Sequence, residues 1–465
     1  MGFAERAAAG SALASAAIAG FTATYGEEPG VVWSAPGRVN LIGEHTDYNE
    51  GLVLPFAIAE RTVVAAGLGG DDGEVVVTSG FYPQTARARL AEVRPGIVPG
   101  WAGYPLGVAW ALSCFPERAH PAGASLYIQS SVPSGAGLSS SAALEIAVGC
   151  ALNDLWDLGR AAPELARAGR KAENEIVGAP TGIMDQYASL LGQADSAVYL
   201  DCRTEEATIV PLSLHGAWPG EASRPGPGAR QADLALVLVD TGERHSHAAG
   251  GYAARRASCE RAARELGVRA LRDVTPADLP AAARLLDEET FRRARHIVTE
   301  NERVAQTVAA LAEGDMATVG ELLTQSHASM RDDFEITTPA LDLTVDVALR
   351  EGALGARMTG GGFGGAAIVL IERDRVPALR QAARAAFRAA GLAEPPVRAV
   401  VPSEGARQEW RPLGVAAEGN AAYLIRHVDT DRHFEPCMHW GTGPNVEVKR
   451  SGRDVGGAGS LMRVT

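Results

Sequence analysis

The chain lacks a membrane span, paired cysteines and a basic stripe, and each absence removes a class of function. None of its 465 residues lies in a run approaching the ~18–20 apolar side chains that a bilayer crossing needs. Five cysteines, Cys114, Cys150, Cys202, Cys259 and Cys437, stand singly, without CxxC or Cys/His ligand spacing. That pattern excludes a disulfide framework and a zinc knuckle, and points to reduced thiols in the cytoplasm. Lys and Arg number 43 against 56 Asp and Glu, a net charge of −13, which argues against the clustered cations of a nucleic-acid binder. The Ala-rich opening, Met1–Phe21, is not a secretion signal, since Glu5 offsets Arg6 and the stretch is barely hydrophobic; a surface helix is expected. Arg6 also breaks the pattern for N-terminal acylation at Gly2. The GxxxxGK[ST] phosphate loop is missing too.

What the chain does have is 46% hydrophobic residues and enough length for about two domains. Strand-like runs are expected at Val31–Ser34, Leu52–Ile58, Arg61–Leu68, Glu74–Thr78, Ser125–Ser130 and Ala197–Asp201, with helices near Leu138–Trp156, Pro163–Val177 and Thr181–Leu191. The Gly/Pro-rich segment Pro219–Gly228 carries no apolar period and marks a boundary between residues 1–218 and 229–407. The second half opens with an apolar strand, Ala232–Asp240, runs through five helices and closes as strand, glycine cluster, strand, helix and strand between Leu354 and Val401. Such an ending suggests a small sheet with helices on one face, and the whole reads as α+β. From Gln408 to Thr465 no period survives, and an irregular, disordered tail is expected.

Four segments carry chemistry. Gly37–Tyr48 crowds Arg38, Glu44, His45 and Asp47 between apolar runs, a set of donors and acceptors matched to the hydroxyls of a small polar ligand such as a sugar; the bland alternative is a solvated turn. Val132–Ala143 places two glycines and four serines, three of them consecutive, at the start of a helix that is apolar nearly all round except for Glu145. Its unpaired N–H groups and dipole suit nucleotide phosphates, although a serine-capped buried helix would leave the same pattern. Arg357–Gly365 holds a glycine run that is either a hairpin loop or a backbone passing close to substrate or to the phosphate loop. Gly182–Gln186 puts Asp185 near a helix start, where it either meets the dipole or faces the ligand, while Glu173 could turn a carboxylate toward a metal that the serines also touch.

The segments GRVNLIGEHTDYNEG, VPSGAGLSSSAALE, GIMDQYASLLG, VDTGERHSH…YAARRASCE and RMTGGGFGG, in this order, resemble the galactokinase branch of the GHMP small-molecule kinases from about Phe21 to Pro402. The resemblance implies a mixed-sheet, ribosomal-protein-like N-terminal domain, a ferredoxin-like C-terminal domain and an active site in the cleft between them. It implies ATP-dependent phosphorylation of the anomeric hydroxyl of galactose, with Mg²⁺. Asp185 would face that hydroxyl as general base or orienting group, with Arg38 beside it lending positive charge to the phosphoryl group in flight.

Glu44, His45, Asp47 and Gly182 would hold the sugar, with Tyr252 closing over it. The backbone of Pro133, Ser134, Gly135, Ala136, Gly137, Leu138, Ser139, Ser140 and Ser141 would wrap the phosphates. Ser140 and Glu173 would bind Mg²⁺, with Ser139 or Ser141 as alternatives to Ser140. Trp101 and Tyr104 fall near the adenine position of such kinases, but Pro105 interrupts where the family continues a helix, and core packing explains Trp101 equally well. Other readings are a kinase for N-acetylgalactosamine or arabinose, and a galactose and ATP sensor without turnover. The complete serine run, Ser139–Ser141, favours catalysis over the sensor. His245 and His247 read as a loop near the sugar rather than a metal pair, and Arg255 and Arg256 as a solvated or salt-bridged face. The family's chains end near Val401–Ser403, so the tail should be dispensable. A cytoplasmic monomer is expected, with no nucleic-acid or membrane partner.

Overall fold

The strand Val31–Asn40, buried along nearly its whole length and kinked at Gly37, is the one from which the rest is hung. The computed structural model describes residues 3–411 apart from 70–72, 99, 116–122, 213, 215–232 and 244–247. The segment Pro219–Gly228, the pair His245 and His247, and the tail residues His427, His433, Cys437 and His439 lie outside the described residues. In the first half the elements are α1 (Phe3–Tyr25), β1 (Val31–Asn40), β2 (Leu52–Val53), β3 (Pro55–Leu68), β4 (Glu74–Ser79), β5 (Ala86–Arg89), α2 (Gly103–Ser113), β6 (Ala124–Ser130), α3 (Ser140–Leu155), α4 (Ala162–Lys171), α5 (Met184–Leu191), β7 (Ser196–Asp201) and β8 (Glu206–Pro211). In the second they are β9 (Leu234–Asp240), α6 (Ala248–Glu265), α7 (Leu279–Leu285), α8 (Glu288–Glu313), α9 (Met316–Ser329), α10 (Pro339–Arg350), β10 (Gly355–Thr359), β11 (Ala366–Glu372), α11 (Val376–Ala389), β12 (Val397–Val400) and β13 (Arg407–Trp410).

The first sheet runs β13-β1-β3-β6-β4-β5, antiparallel except for the parallel pair β4 and β6. This mixed sheet packs its inner face on α2 and α3 through Val64, Ala66, Leu126, Leu106 and Ile146. The expected strands Leu52–Ile58 and Arg61–Leu68 are continuous from Pro55 as one long strand, β3, with Leu52–Val53 split off as β2 onto β7, because Glu60 and Arg61 find partners rather than a turn: Glu60 pairs with Arg398, and buried Arg61 donates to Ser34 Oγ at 2.8 Å. A register shift between Pro36 and Arg38 bends β1 so that its last residues turn toward the second half.

The second sheet, β10-β11-β9-β12, is antiparallel throughout. Its central strands, β9 and β11, are apolar on both faces, as strands covered on two sides require. Val237, Val239, Val369 and Ile371 face α6, α8, α10 and α11, whereas Leu236, Leu238, Ile368 and Leu370 join Leu41, Ile42, Leu54 and Phe56 of the first half in one continuous core. The two halves thus share their interior, and the described residues fall in one compact unit.

Two further expectations change. The first helix is not merely a surface element, since Ala14, Ala17 and Phe21 are buried against Val32, Val63 and Ala65 of the sheet. The irregular tail does not start at Gln408, because Arg407–Trp410 form an edge strand on β1. Ser34 donates to Glu409 at 2.6 Å and Gln408 to Asp154 at 2.6 Å, so these residues hold the sheet together. No helix among the described residues is long and apolar enough to cross a membrane.

Candidate active site

The end of β1, the loop before α3 and the first turn of α5 meet at one ion pair. Arg38 donates from Nε to Asp185 Oδ1 at 2.7 Å and from Nη2 to Oδ2 at 2.8 Å, a two-pronged fit that fixes both side chains. Its remaining nitrogen, Nη1, donates to the carbonyl of Gly137 at 2.7 Å, and its own N–H bonds the Leu138 carbonyl at 3.1 Å. Ser139 Oγ donates to Asp185 Oδ2. Asp185, Arg38 and the serine loop therefore lie together, with the carboxylate 23% exposed and the guanidinium almost wholly covered.

The loop Pro133–Ser139 bridges β6 and α3 through left-handed backbone at Gly135, Gly137 and Ser139. No side chain caps the first turn of α3, so its leading N–H groups remain for a ligand. The glycine run after β10 presses on this loop: a Cβ on Gly360 would lie 3.2 Å from the Gly137 carbonyl. That proximity is the close approach considered for the glycines, rather than a free hairpin. Beside the loop a cavity of about 630 Å³ is lined by Ser134, Ser140, Ser141, Phe81, Tyr82, Trp101 and Tyr104. Tyr82 and Trp101 stack at 5.0 Å with 11° between their planes. Pro105 sits in the first turn of α2, where its missing N–H has no helical partner to lose, so the helix simply begins there.

The acceptor-rich trio lies on the other side of Asp185. A Cβ on Gly182 would fall 1.9 Å from Asp47 Oδ2, so only glycine lets that carboxylate stand where it does. Burial, reinforced by the negative charge of Asp185, pushes the Asp47 carboxyl up to about 7. His45 Nε2 faces the Gly361 carbonyl at 3.2 Å and so carries the proton, leaving Nδ1 to accept from Tyr48 Oη at 2.7 Å. Burial lowers its pKa to about 3, which keeps the ring neutral. Tyr252 packs on that ring at 4.8 Å, and Tyr48 meets Tyr252 edge-on at 5.4 Å. Glu44 is buried and accepts the Gly360 N–H at 2.7 Å; its carboxyl is raised by burial against the pull of Arg357 and Arg38.

Glu173 projects from a π-helical turn, Ala172–Val177, and accepts from Thr181 Oγ1 at 2.7 Å and Gln186 Nε2 at 3.2 Å. Burial raises its pKa, against the opposing pull of Thr181 and of Ser141 on α3. Gln186 also donates to buried Glu145 at 2.8 Å, whose other oxygen has no partner. Three carboxylates, Glu145, Glu173 and Asp185, thus gather where Arg38 is the cation, and a hard divalent ion would fit this oxygen-rich, under-neutralised corner. Among the described residues no three such side chains could enclose a metal unaided, so phosphate and water would complete its shell.

Comparisons with known proteins bear on this geometry. The galactokinase galactose-binding signature matches residues 19–68, the GHMP kinases N terminal domain residues 104–193 and the GHMP kinases C terminal residues 307–389. The galactokinase of Streptomyces coelicolor is 50% identical over 403 residues, covering 86% of this chain and 99% of its own. The chain belongs to the galactokinase family. Human galactokinase is 42% identical over 364 residues, 77% of this chain and 88% of its own. The crystal structure of Lactococcus lactis galactokinase complexed with galactose matches with a TM-score of 0.77 at 32% identity, over 85% of this chain and 99% of that one. A mevalonate kinase structure, at 16% identity and a TM-score of 0.54, shares the fold.

Several groups in this galactokinase-family site were not foreseen from sequence. Glu300 on α8 is fully buried, accepts the Gly43 N–H at 3.0 Å and the Ser326 hydroxyl at 2.7 Å, and pairs with Arg303 at 2.8 Å. Burial pushes its carboxyl up, but Arg303, His296 and Arg357 together overcome that and hold it at about 2. Arg357, also fully buried, donates to the Asn40 and Leu41 carbonyls at 3.2 and 3.0 Å, so the third motif grips the first from below. His296 Nε2 meets the Glu44 carbonyl at 3.2 Å. The signal was present in the polar stripe Arg293, His296, Glu300, Arg303 and Thr307 at helical spacing on α8, all buried. The pair expected to form a solvated or salt-bridged face is half of that: Arg256 bridges to Glu260, but it also donates to the Pro180 carbonyl at 2.9 Å, and Arg255 donates to the Phe334 carbonyl at 2.6 Å.

Proposed function

We propose that this protein transfers the terminal phosphoryl group of ATP to the anomeric hydroxyl of D-galactose, giving galactose 1-phosphate and ADP. The observation that carries the reading is the Arg38–Asp185 pair, held by two hydrogen bonds of 2.7 and 2.8 Å and tied to the carbonyl of Gly137. An acceptor carboxylate and a cation stand side by side between a phosphate-binding loop and a sugar-sized cluster of acceptors. In this reading the sugar hydroxyl donates to Asp185, its oxygen attacks the terminal phosphorus, the bond to ADP breaks, and the proton passes to the carboxylate. Arg38 stabilises charge on the phosphoryl oxygens as that bond loosens.

The loop Pro133–Ser141 and the free N–H groups of α3 hold the phosphates, while Tyr82 and Trp101, stacked on each other, line the part of the cavity that takes the base. Glu173, with Ser140 or Ser141, would hold Mg²⁺, which when bound neutralises charge on the terminal phosphates. Glu44, His45, Asp47 and Gly182 take the far hydroxyls, and Tyr252 closes over the ring. A sugar with an equatorial 4-hydroxyl leaves a buried carboxylate unpaired, a mismatch worth up to ~10⁴-fold, so glucose is a poor substrate. The same reading places the enzyme in the cytoplasm as a monomer.

The test is ADP release with MgATP and galactose, glucose, N-acetylgalactosamine or arabinose, alongside size-exclusion chromatography. Turnover with galactose far above the other sugars is expected. Binding of galactose and ATP without ADP release would favour a sensor instead, and preference for another sugar would redefine the substrate.

A further inference from the structure

We propose that Ser139 is a positioning residue for phosphoryl transfer: its hydroxyl locks the Asp185 carboxylate so that a single lone pair, on Oδ1, is left to accept the sugar hydroxyl. The inference rests on the reading of Asp185 given above. Ser139 occupies the residue before α3, where a serine ordinarily accepts an N–H of the first turn, yet it makes no such bond. Its backbone is left-handed, φ 53° and ψ 51°, a conformation that is sterically costly for any residue with a Cβ. The same loop uses glycine at its other two left-handed positions, 135 and 137. Glycine would be easier at 139 as well, so the serine has to be explained by its hydroxyl. That hydroxyl points at Asp185 Oδ2.

The lone-pair count then follows. Oδ1 accepts from Arg38 Nε at 2.7 Å, and Oδ2 accepts from Arg38 Nη2 at 2.8 Å and from Ser139. A carboxylate has about four acceptor sites, so three are filled and the fourth lies on Oδ1. The phosphate loop is joined to the acceptor carboxylate twice, directly through Ser139 and indirectly through the 2.7 Å bond from Arg38 Nη1 to Gly137. Phosphates bound by that loop and a sugar oxygen held by Asp185 would thereby share one rigid frame, which in-line transfer requires.

The experiment compares Ser139→Gly and Ser139→Ala, each alone and combined with Asp185→Asn, by kcat, KM for galactose and for ATP, and melting temperature. Ser139→Gly keeps the left-handed backbone and removes only the hydroxyl, so it separates conformation from contact. Both single variants should lower kcat by ~10- to 100-fold, the loss of one hydrogen bond to a charged group, with both KM values within about threefold of the parent. In the Asp185→Asn background the further change should be under about twofold, because the two side chains act as one unit. Ser139→Gly at full kcat with Asp185→Asn inactive, or multiplicative losses in the double variant, would overturn the inference alone. Asp185→Asn at full kcat would overturn the reading of Asp185 beneath it.

Discussion

Replacing Asp47 with Asn should make the ligand-free protein more stable at alkaline pH and at the same time weaken its hold on galactose. The Asp47 carboxylate is pressed against Gly182 near Asp185 and Glu44, and its pKa stands at about 7 instead of 3.8, raised first by burial and then by the charge of Asp185. A carboxyl raised on folding contributes stability in full below pH 3.8, and that contribution is lost as the pH climbs through about 7. A shift of that size bounds the loss at ~4 kcal/mol, and solvent screening of a half-buried side chain reduces it to about 1–2 kcal/mol. Asn carries no charge, so at pH 8 the variant should melt about 1–2 °C above the parent, whereas at pH 4 the two should coincide. Galactose KM should rise at least ~10-fold, since an acceptor has been exchanged for a group that also donates. Melting curves from pH 4 to 9 and steady-state kinetics read both effects. A stability difference that does not change with pH, or an unchanged galactose KM, would refute the reasoning.

Two further outcomes follow from single contacts. Gly182→Ala places a methyl group 1.9 Å from Asp47 Oδ2, so the carboxylate must move; galactose KM should rise by ~10-fold or more while ATP KM stays within about twofold, measured by coupled ADP release. Ending the chain after Arg411 should preserve the melting temperature of residues 1–411, whereas ending it after Ala406 removes β13 and its bonds from Ser34 to Glu409 and from Gln408 to Asp154, at a cost of about 2–3 kcal/mol seen in denaturant unfolding.

Much of this was legible in the chain because the informative residues are local. Arg38, Glu44, His45 and Asp47 sit within ten positions of one another, and a run of glycines and serines before an apolar helix suggests a phosphate loop, although a serine-capped buried helix has the same composition. The central strands of the second sheet, β9 and β11, could be read because they are apolar on both faces. What stayed hidden is what depends on pairing at a distance. Glu60 and Arg61 look like a turn until Arg398 and Ser34 supply their partners, so β3 was divided in two. Glu300 and Arg303 look like a solvated helix face because a buried charge is only tolerable beside its counter-charge, and Arg357 lies 54 residues beyond Arg303 in the chain. Tyr82 lies in a short loop without periodicity, and only folding brings it against Trp101. Ser139 resembled one of three equivalent serines until its left-handed backbone set it apart.

The most direct measurement is a crystal structure of the protein with galactose and a non-hydrolysable ATP analogue. The anomeric oxygen should lie within about 3 Å of Asp185 Oδ1, with the terminal phosphate of the analogue on the far side of that oxygen and against the start of α3. A sugar bound away from Asp185, or phosphates seated anywhere other than the Pro133–Ser141 loop, would contradict the account.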